Sequence, residues 1–284
     1  MTPGFALAVV LDRVTVAPVE RVLEGRVIGV VGGTSGVGLA AARALLAAGA
    51  RVACLGRDQD SCQAAAGDLG REALVHCGDA AEPGPVETTL GRAVERWARL
   101  DGLFHVAGGS GRSRGDGPLH ELSEDGWDFT VALNLRSVFL SNRAAVRRFL
   151  AQGAGGVVLN LGSVLAGSPA PRHFSTHAYA AAKAGIEGLT RAAAAHYAPQ
   201  NIRFNLLTPG LVATPMSARA QQNEDIMRYI RTKQPLDGGR IGRPDDLTAA
   251  AVFLLSDAAR FITGQILAVD GGWSVSEGMP GGGV

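Results

Sequence analysis

Lysine is almost missing from this chain: only Lys183 and Lys233 stand among 27 basic residues, so each of them can be read by its position. Neither sign of charge dominates. With 27 basic against 26 acidic residues, interspersed and netting +1, nothing marks nucleic acid or a membrane surface as a partner. Cysteine is scarce and odd in number. Cys54, Cys62 and Cys77 have no close CxxC spacing, which fits neither a disulfide frame nor a zinc site and matches a reducing cytoplasm. No apolar run reaches the roughly 18 residues of a membrane span. The N-terminus shows no basic region followed by a long apolar core, so no secretion signal is read. Linkers, repeats and charge blocks are absent too, and with 46% hydrophobic residues over 284 positions the expectation is one α/β domain. His173 and His177 are four apart but lack a third ligand nearby, and Pro169 and Pro171 place His173 in a loop; no metal is expected.

Both lysines follow a tyrosine by four positions, as Tyr179–Lys183 and Tyr229–Lys233. On a helix such a pair shares one face. A free tyrosine titrates near about 10, so a proton donor and acceptor near neutrality needs a shift worth ~4 kcal/mol. A positive charge about 4 Å away, at an effective dielectric of about 20, supplies ~4 kcal/mol before losses. Context separates the pairs. Tyr179 follows an apolar run, 157–161, that ends in Gly162-Ser163, and it opens an alanine-rich helix. Tyr229 sits among Asp225, Arg228 and Arg231 with no strand shortly before it, which reads as a charged, amphipathic cover segment.

Residues 1–22 precede the first element, as an appended arm or a poorly ordered tail. The run 27–31 has the continuous apolar character of a strand buried on both faces. Gly32-Gly33-Thr34-Ser35-Gly36-Val37-Gly38 follows at once, then a helix over 39–48 ended by Gly49. Strand, glycine turn and helix in succession place backbone amides where a pyrophosphate is held. A second strand, 51–55, leads to Arg57 and Asp58, at the place of a dinucleotide's adenosine ribose. Arg57 favours the 2′-phosphate of NADP; Asp58 either takes the ribose hydroxyls of NAD or caps the next helix. A third strand, 73–75, precedes Asp79-Ala80, a carboxylate beside the adenine. A helix over 86–98 and a fourth strand, 103–106, lead to Ala107-Gly108-Gly109. Arg112 and Arg114 follow in a glycine-rich loop, either solvated or meeting a phosphate or an acidic substrate.

A helix is expected over 127–150 with Asn134 inside it, where asparagine is mildly unfavourable and so suggests a role. The fifth strand is 157–161, the long helix 177–197, and the sixth strand 204–207, broken by Thr208-Pro209-Gly210. Residues 217–239 look like a polar lid within a wider lid segment 212–240. A helix over 245–255 and a seventh strand, 266–269, complete the chain before a short tail, 276–284. The alternation implies a Rossmann-like, doubly wound, seven-stranded parallel sheet in a single domain, 23–275, with helices on both faces and the site at the strands' carboxyl ends.

From 23 to 273 the sequence resembles the short-chain dehydrogenase/reductase family, of compact single-domain type. The stretch from Val31 to Gly38 is similar to its cofactor turn, with valine where threonine is usual. Asp79-Ala80 resembles its adenine contact. His105-Val106 stands where two asparagines commonly precede Ala107-Gly108, which puts the sheet-bracing role of those asparagines in doubt here. Gly162 replaces a frequent serine, and a longer interval before Tyr179 puts His173-Phe174 in an insertion near the pocket mouth.

The resemblance implies hydride transfer between a nicotinamide and a carbonyl or secondary alcohol carbon. Tyr179 would pass the proton, Ser163 hold the substrate oxygen, Lys183 lower the tyrosine pKa and bind the ribose, and Asn134 steady a water. The implied cofactor contacts are Gly32, Thr34, Ser35, Gly36, Val37, Gly38, Arg57, Asp79, Ala80, Ala107, Gly108, Tyr179 and Lys183, with Pro209, Gly210, Val212 and Thr214 orienting the carboxamide. NADP-dependent ketone reduction leads; NAD-dependent oxidation of a secondary alcohol, sugar or sterol is the alternative, and a non-catalytic dinucleotide sensor is the reading of another class. The partners expected are a small carbonyl or alcohol and further copies of the chain, as a dimer or tetramer packed through the small residues 192–195.

Overall fold

The computed structural model describes residues 21–278. All but two residues of the expected arm, and most of the expected tail, lie outside them. Seven parallel strands form one sheet in the order β3-β2-β1-β4-β5-β6-β7. They are β1 (Val27–Val31), β2 (Arg51–Gly56), β3 (Ala73–Cys77), β4 (Gly102–His105), β5 (Gly156–Leu161), β6 (Ile202–Pro209) and β7 (Ile266–Val269). The order reverses between β1 and β4, where β1 pairs with β2 on one side and β4 on the other, and Val31 aligns with both Leu55 and His105. A crevice opens at that switch point.

The helices are α1 (Gly36–Ala47), α2 (Gln59–Leu69), α3 (Pro85–Trp97), α4 (Glu124–Val131), α5 (Ser137–Gln152), α6 (His177–Tyr197), α7 (Ala218–Gln221), α8 (Glu224–Lys233) and α9 (Thr248–Leu255). Strand β1 shows why the sheet needs helices on both sides. All five of its residues are buried, and their side chains alternate. Ile28 and Val30 pack with Leu45 of α1 and Leu254 of α9. Val27 and Val31 pack with Leu90 of α3 and Phe149 of α5.

Several expected boundaries shift, each for a local reason. The first helix begins at Gly36, inside the glycine turn, so the turn itself delivers the helix N-terminus to the crevice. Asp58 caps α2, its carboxylate accepting from the Ser61 amide at 2.8 Å and the Ser61 hydroxyl at 2.6 Å. The helix expected over 127–150 is two helices joined by a wider, π-helical turn, Ala132–Arg136. Polar side chains stitch that turn. Asn134 Nδ2 donates to the Thr130 carbonyl at 2.9 Å, and the Ser137 hydroxyl donates to Leu133 O at 2.7 Å. Residues 217–239 are largely helical, and α8 buries Ile226, Ile230 and Lys233. No helix among the described residues is long and apolar enough to cross a membrane.

Candidate active site

The turn after β1 is built around close backbone approach. A Cβ on Gly38 would lie 1.9 Å from the Gly32 carbonyl oxygen, and Gly32 itself holds φ +85, so neither position admits a side chain. Ser35 and Gly36 then start α1 on the wall of the crevice, and a helix N-terminus is a seat for an anion. Around this turn lies a cleft of about 860 Å³, lined by Gly32, Thr34, Ser35, Gly36 and Val37 from the turn, Arg57 after β2, Asp79 and Ala80 after β3, Ala107 and Gly108 after β4, and Thr214. Gly38 is not on its wall; it sits beneath the turn and lets it close.

Adjoining the cleft is a smaller cavity of about 180 Å³, whose walls share Val37, Gly108, Thr214, Arg112 and Arg219 with it. Ser163, Tyr179, Lys183, Pro209, Gly210 and Val212 line this inner cavity. Elements far apart in sequence therefore deliver a hydroxyl, a phenol and an ammonium to one small space. Ser163 ends the turn after β5, and its hydroxyl oxygen accepts from the Leu165 amide at 3.2 Å, which leaves its proton free to be donated into the cavity. Tyr179 and Lys183 lie on the first turns of the 21-residue helix α6.

What fixes the start of α6 is Asp116, a residue the sequence reading passed over. Thr176, at the cap position, makes no side-chain cap bond. The buried Asp116 supplies it from another loop, accepting from the amides of Ala178 and Tyr179, both at 3.0 Å. Its signal in the sequence was an acid between two glycines, 115–117, but nothing local connects it to a helix some sixty residues on.

Lys183 is buried, and its ammonium donates to the Leu161 carbonyl at 2.8 Å. Burial lowers its pKa to about 8. Tyr179 behaves differently from the expectation. Burial pushes the phenol above its ordinary value and interaction with the Ser163 hydroxyl pulls it back, while the Lys183 ammonium faces the ring, 5.6 Å from its centroid. Desolvation is the larger of the two effects on the phenol.

Asn134 lines neither cavity. It is fully buried, and its amide grips the loop after β4: Nδ2 donates to Gly109 O at 2.9 Å and Oδ1 accepts from the Gly109 amide at 3.1 Å. A Cβ on Gly108 would sit 2.7 Å from that Oδ1 and 3.4 Å from the Lys183 ammonium, so Asn134 abuts the lysine through the loop it braces.

His105 replaces a bracing asparagine, and it braces. Its ring is fully buried; Nε2 donates to Ala107 O at 3.0 Å, which leaves Nδ1 to accept from the Ser141 hydroxyl at 2.7 Å. Burial, helped by the charge of Lys183, takes its pKa down to about 3, so the ring is neutral and its tautomer fixed. The doubt raised by the missing asparagines is thereby answered. Gln234, also unforeseen, holds the loop after β6 from both sides: Oε1 accepts from the Leu211 amide at 2.6 Å and Nε2 donates to Leu211 O at 3.3 Å.

Phe174 reaches the inner cavity and packs on Trp273 at 5.9 Å between centroids. His173 and His177 hold no metal-type cluster among the described residues.

The sheet order and the cleft at its switch point define a Rossmann-like dinucleotide fold, with Ser163, Tyr179 and Lys183 brought together beside that cleft. The family model described as Enoyl-(Acyl carrier protein) reductase matches residues 31–274. The cis-4-hydroxycyclohexanecarboxylate dehydrogenase of Sinomonas cyclohexanicum is 37% identical over 251 residues, covering 88% of this chain and 96% of that protein. The D-threitol dehydrogenase of Mycolicibacterium smegmatis is 34% identical over 256 residues, covering 89% and 94%. A solved short-chain type dehydrogenase/reductase from Mycobacterium ulcerans superposes with a TM-score of 0.82 at 30% identity, covering 89% of this chain and 91% of that one. The chain belongs to the short-chain dehydrogenase/reductase family, and it is an oxidoreductase acting on CH-OH or C=O groups.

Proposed function

We propose that the protein reduces a ketone to a secondary alcohol with NADPH. The observation that carries this reading is the convergence of Ser163, Tyr179 and Lys183 on one small cavity opening into the dinucleotide cleft. The glycine turn and its helix N-terminus fit a dinucleotide's diphosphate, and such a cofactor supplies the hydride when bound. Ser163 then donates to the substrate oxygen as negative charge builds there. Tyr179, held protonated by burial, transfers its proton to that oxygen. Lys183 binds the cofactor's ribose and places its charge beside the phenol, and Asn134 keeps the Gly108–Gly109 wall of the cleft in position.

Support for NADP comes from the ribose end. Asp58 is captive in the α2 cap, whereas Arg57 is 63% exposed and only loosely held, 3.8 Å from Asp79. Gly56, the last residue of β2, admits no acid: a Cβ there would meet Thr34 Oγ1 at 2.1 Å. A guanidinium is thus the free side chain where the 2′-phosphate would lie. Fluorescence titration with NADPH and NADH tests this; tighter NADPH binding that is lost in Arg57→Ala supports it, and tighter NADH binding unaffected by that change sinks it. The second reading, NAD-dependent oxidation of a secondary alcohol, is favoured by the names of the two dehydrogenase relatives. A panel of cyclic ketones and polyols with both cofactors separates the two.

Assembly as a dimer or tetramer belongs to the same reading. Exposed Phe139 and Leu150 on α5 support it, and light scattering checks it.

A further inference from the structure

Charge is uneven around the inner cavity. Its lining holds three cationic side chains, Lys183, Arg112 and Arg219, and no aspartate or glutamate. Elsewhere the chain pairs many of its arginines: Arg26, Arg43, Arg51, Arg99 and Arg240 each have a carboxylate oxygen at 3.3 Å or less. Lys183 is engaged at the catalytic end. Arg112 and Arg219 reach the cavity from different segments, one in the turn after β4 and the other on α7 after β6. Among the described residues neither is paired with a carboxylate. The one polar side-chain contact between them is a donation from Arg219 Nη2 to His173 O at 3.5 Å, the limit of a hydrogen bond.

Both roots are fixed. Gly111, next to Arg112, has no room for a Cβ, which would lie 1.7 Å from Thr130 Oγ1, and its carbonyl takes the amides of Arg114 and Asp116 at 2.8 and 3.1 Å. On the other side, the Ser217 hydroxyl donates to Val212 O at 2.6 Å and Gln221 Nε2 to Thr214 O at 3.0 Å, which ties α7 down. Burial and the charge of Arg112 both lower the pKa of Arg219, so the two guanidinium groups feel one another. Both side chains are exposed beside an apolar wall of Leu165, Phe174, Met216 and Trp273, and an anion between them would relieve their mutual repulsion. The diphosphate of the cofactor already has its seat at the start of α1.

We propose that Arg112 and Arg219, on the wall that the inner cavity shares with the dinucleotide cleft, together bind an anionic group of the substrate, a carboxylate or another oxyanion. This rests on the oxidoreductase reading of the same site and names its substrate class: an acidic ketone or secondary alcohol. Guanidinium forks suit such an oxyanion because each presents parallel N–H donors.

The probes are 4-oxocyclohexanecarboxylate and its neutral isostere 4-oxocyclohexanecarboxamide, assayed with the intact protein and its preferred cofactor. The wild type prefers the acid, and the acid-to-amide ratio of kcat/KM falls about tenfold or more in Arg112→Gln and again in Arg219→Gln. Arg114→Gln, whose guanidinium lies over Phe129 at 5.0 Å instead, keeps the wild-type ratio. Weakened cofactor binding with equal loss on acid and amide assigns the pair to the cofactor's phosphates and overturns the proposal. So does a wild type that prefers the amide or shows no preference. Calorimetric titration of the acid into the protein carrying oxidised cofactor reads the anion site without turnover. Acid binding that exceeds amide binding and is lost in the double variant upholds the proposal even where no ketone is reduced, a result that removes only the ketone-reduction reading. Equal binding of acid and amide overturns it.

Discussion

Tyr179–Lys183 and Tyr229–Lys233 carry the same spacing on two helices, and the structure gives them unrelated surroundings. The first pair opens the long α6 and faces the carboxyl ends of β5 and β6 across the inner cavity. The second lies at the end of the ten-residue α8 and faces the chain's own C-terminal segment. Lys233 is buried too, but its ammonium donates to the carbonyl of Ser276. Tyr229 packs between His173 and Trp273, at 4.9 and 5.9 Å between centroids. A Cβ on Gly278 would touch Lys233 Cδ at 2.9 Å and Tyr229 Cε2 at 3.2 Å, so the second pair works as a clasp. Four-residue spacing brings a phenol and an ammonium to one helix face; what lies opposite that face decides whether they do chemistry or hold a strap.

The sharpest way to break this contrast is to remove each phenol in turn. Tyr179→Phe is expected to lower kcat by about 10³-fold while leaving cofactor affinity nearly unchanged, because it removes the proposed proton donor. Tyr229→Phe keeps its ring contacts and is expected to stay within about twofold of wild type. Steady-state kinetics with fluorescence titration compares them; a loss in Tyr229→Phe matching that in Tyr179→Phe would reverse the assignment.

Removing each ammonium gives the next largest effect. Lys183→Met is expected to weaken cofactor binding by about tenfold or more, a change that Lys233→Met does not produce. The stability signature is just as specific. With its pKa lowered to about 8 from an unfolded value of 10.5, Lys183 binds fewer protons folded than unfolded between those limits. Folding therefore strengthens as pH rises from about 8 to 10.5, and the cost of burying the charge, on the order of 3 kcal/mol, is fully present at pH 7. Urea unfolding at pH 7 and pH 10 is expected to show this rise in wild type and its loss in Lys183→Met.

The caps sharpen the comparison at smaller scale. Asp116→Ala is expected to cost about 1–2 kcal/mol of stability and also to lower kcat, since it releases the amide of Tyr179 itself. Asn223→Ala removes the cap of α8, which accepts from the Ile226 amide at 3.0 Å. It is expected to cost about 1 kcal/mol with kcat preserved. Thermal unfolding and kinetics on the two variants check the difference.

These same residues show where the sequence could be read and where it could not. The sheet was legible because each parallel strand is a short apolar run whose two faces both need cover, as β1 illustrates. The candidate site was legible where motif and backbone geometry coincide, in the glycine turn and in the pair that opens α6. Asp116, His105 and Gln234 were not, because each acts on backbone groups that only the fold brings within reach. The break at Asn134 was missed because a π-helical turn keeps helical periodicity on both sides. The burial of Lys233 was not legible because its partner is a main-chain carbonyl, which leaves no mark in the sequence.

The contact between Gly56 and Thr34 has a bearing on how the cofactor choice could change over generations. An acid at position 56, facing the ribose, is blocked by the threonine hydroxyl and methyl, whose carrying Cβ stands 2.8 Å from where a new Cβ would go. A single substitution at 56 therefore meets a steric barrier, and only a lineage that has first reduced residue 34 to glycine has that step open. The two positions form an ordered pair: the permissive change lies in the phosphate turn, the selective one at the end of β2. An acid at the end of β2 is thus a step that residue 34 must first permit.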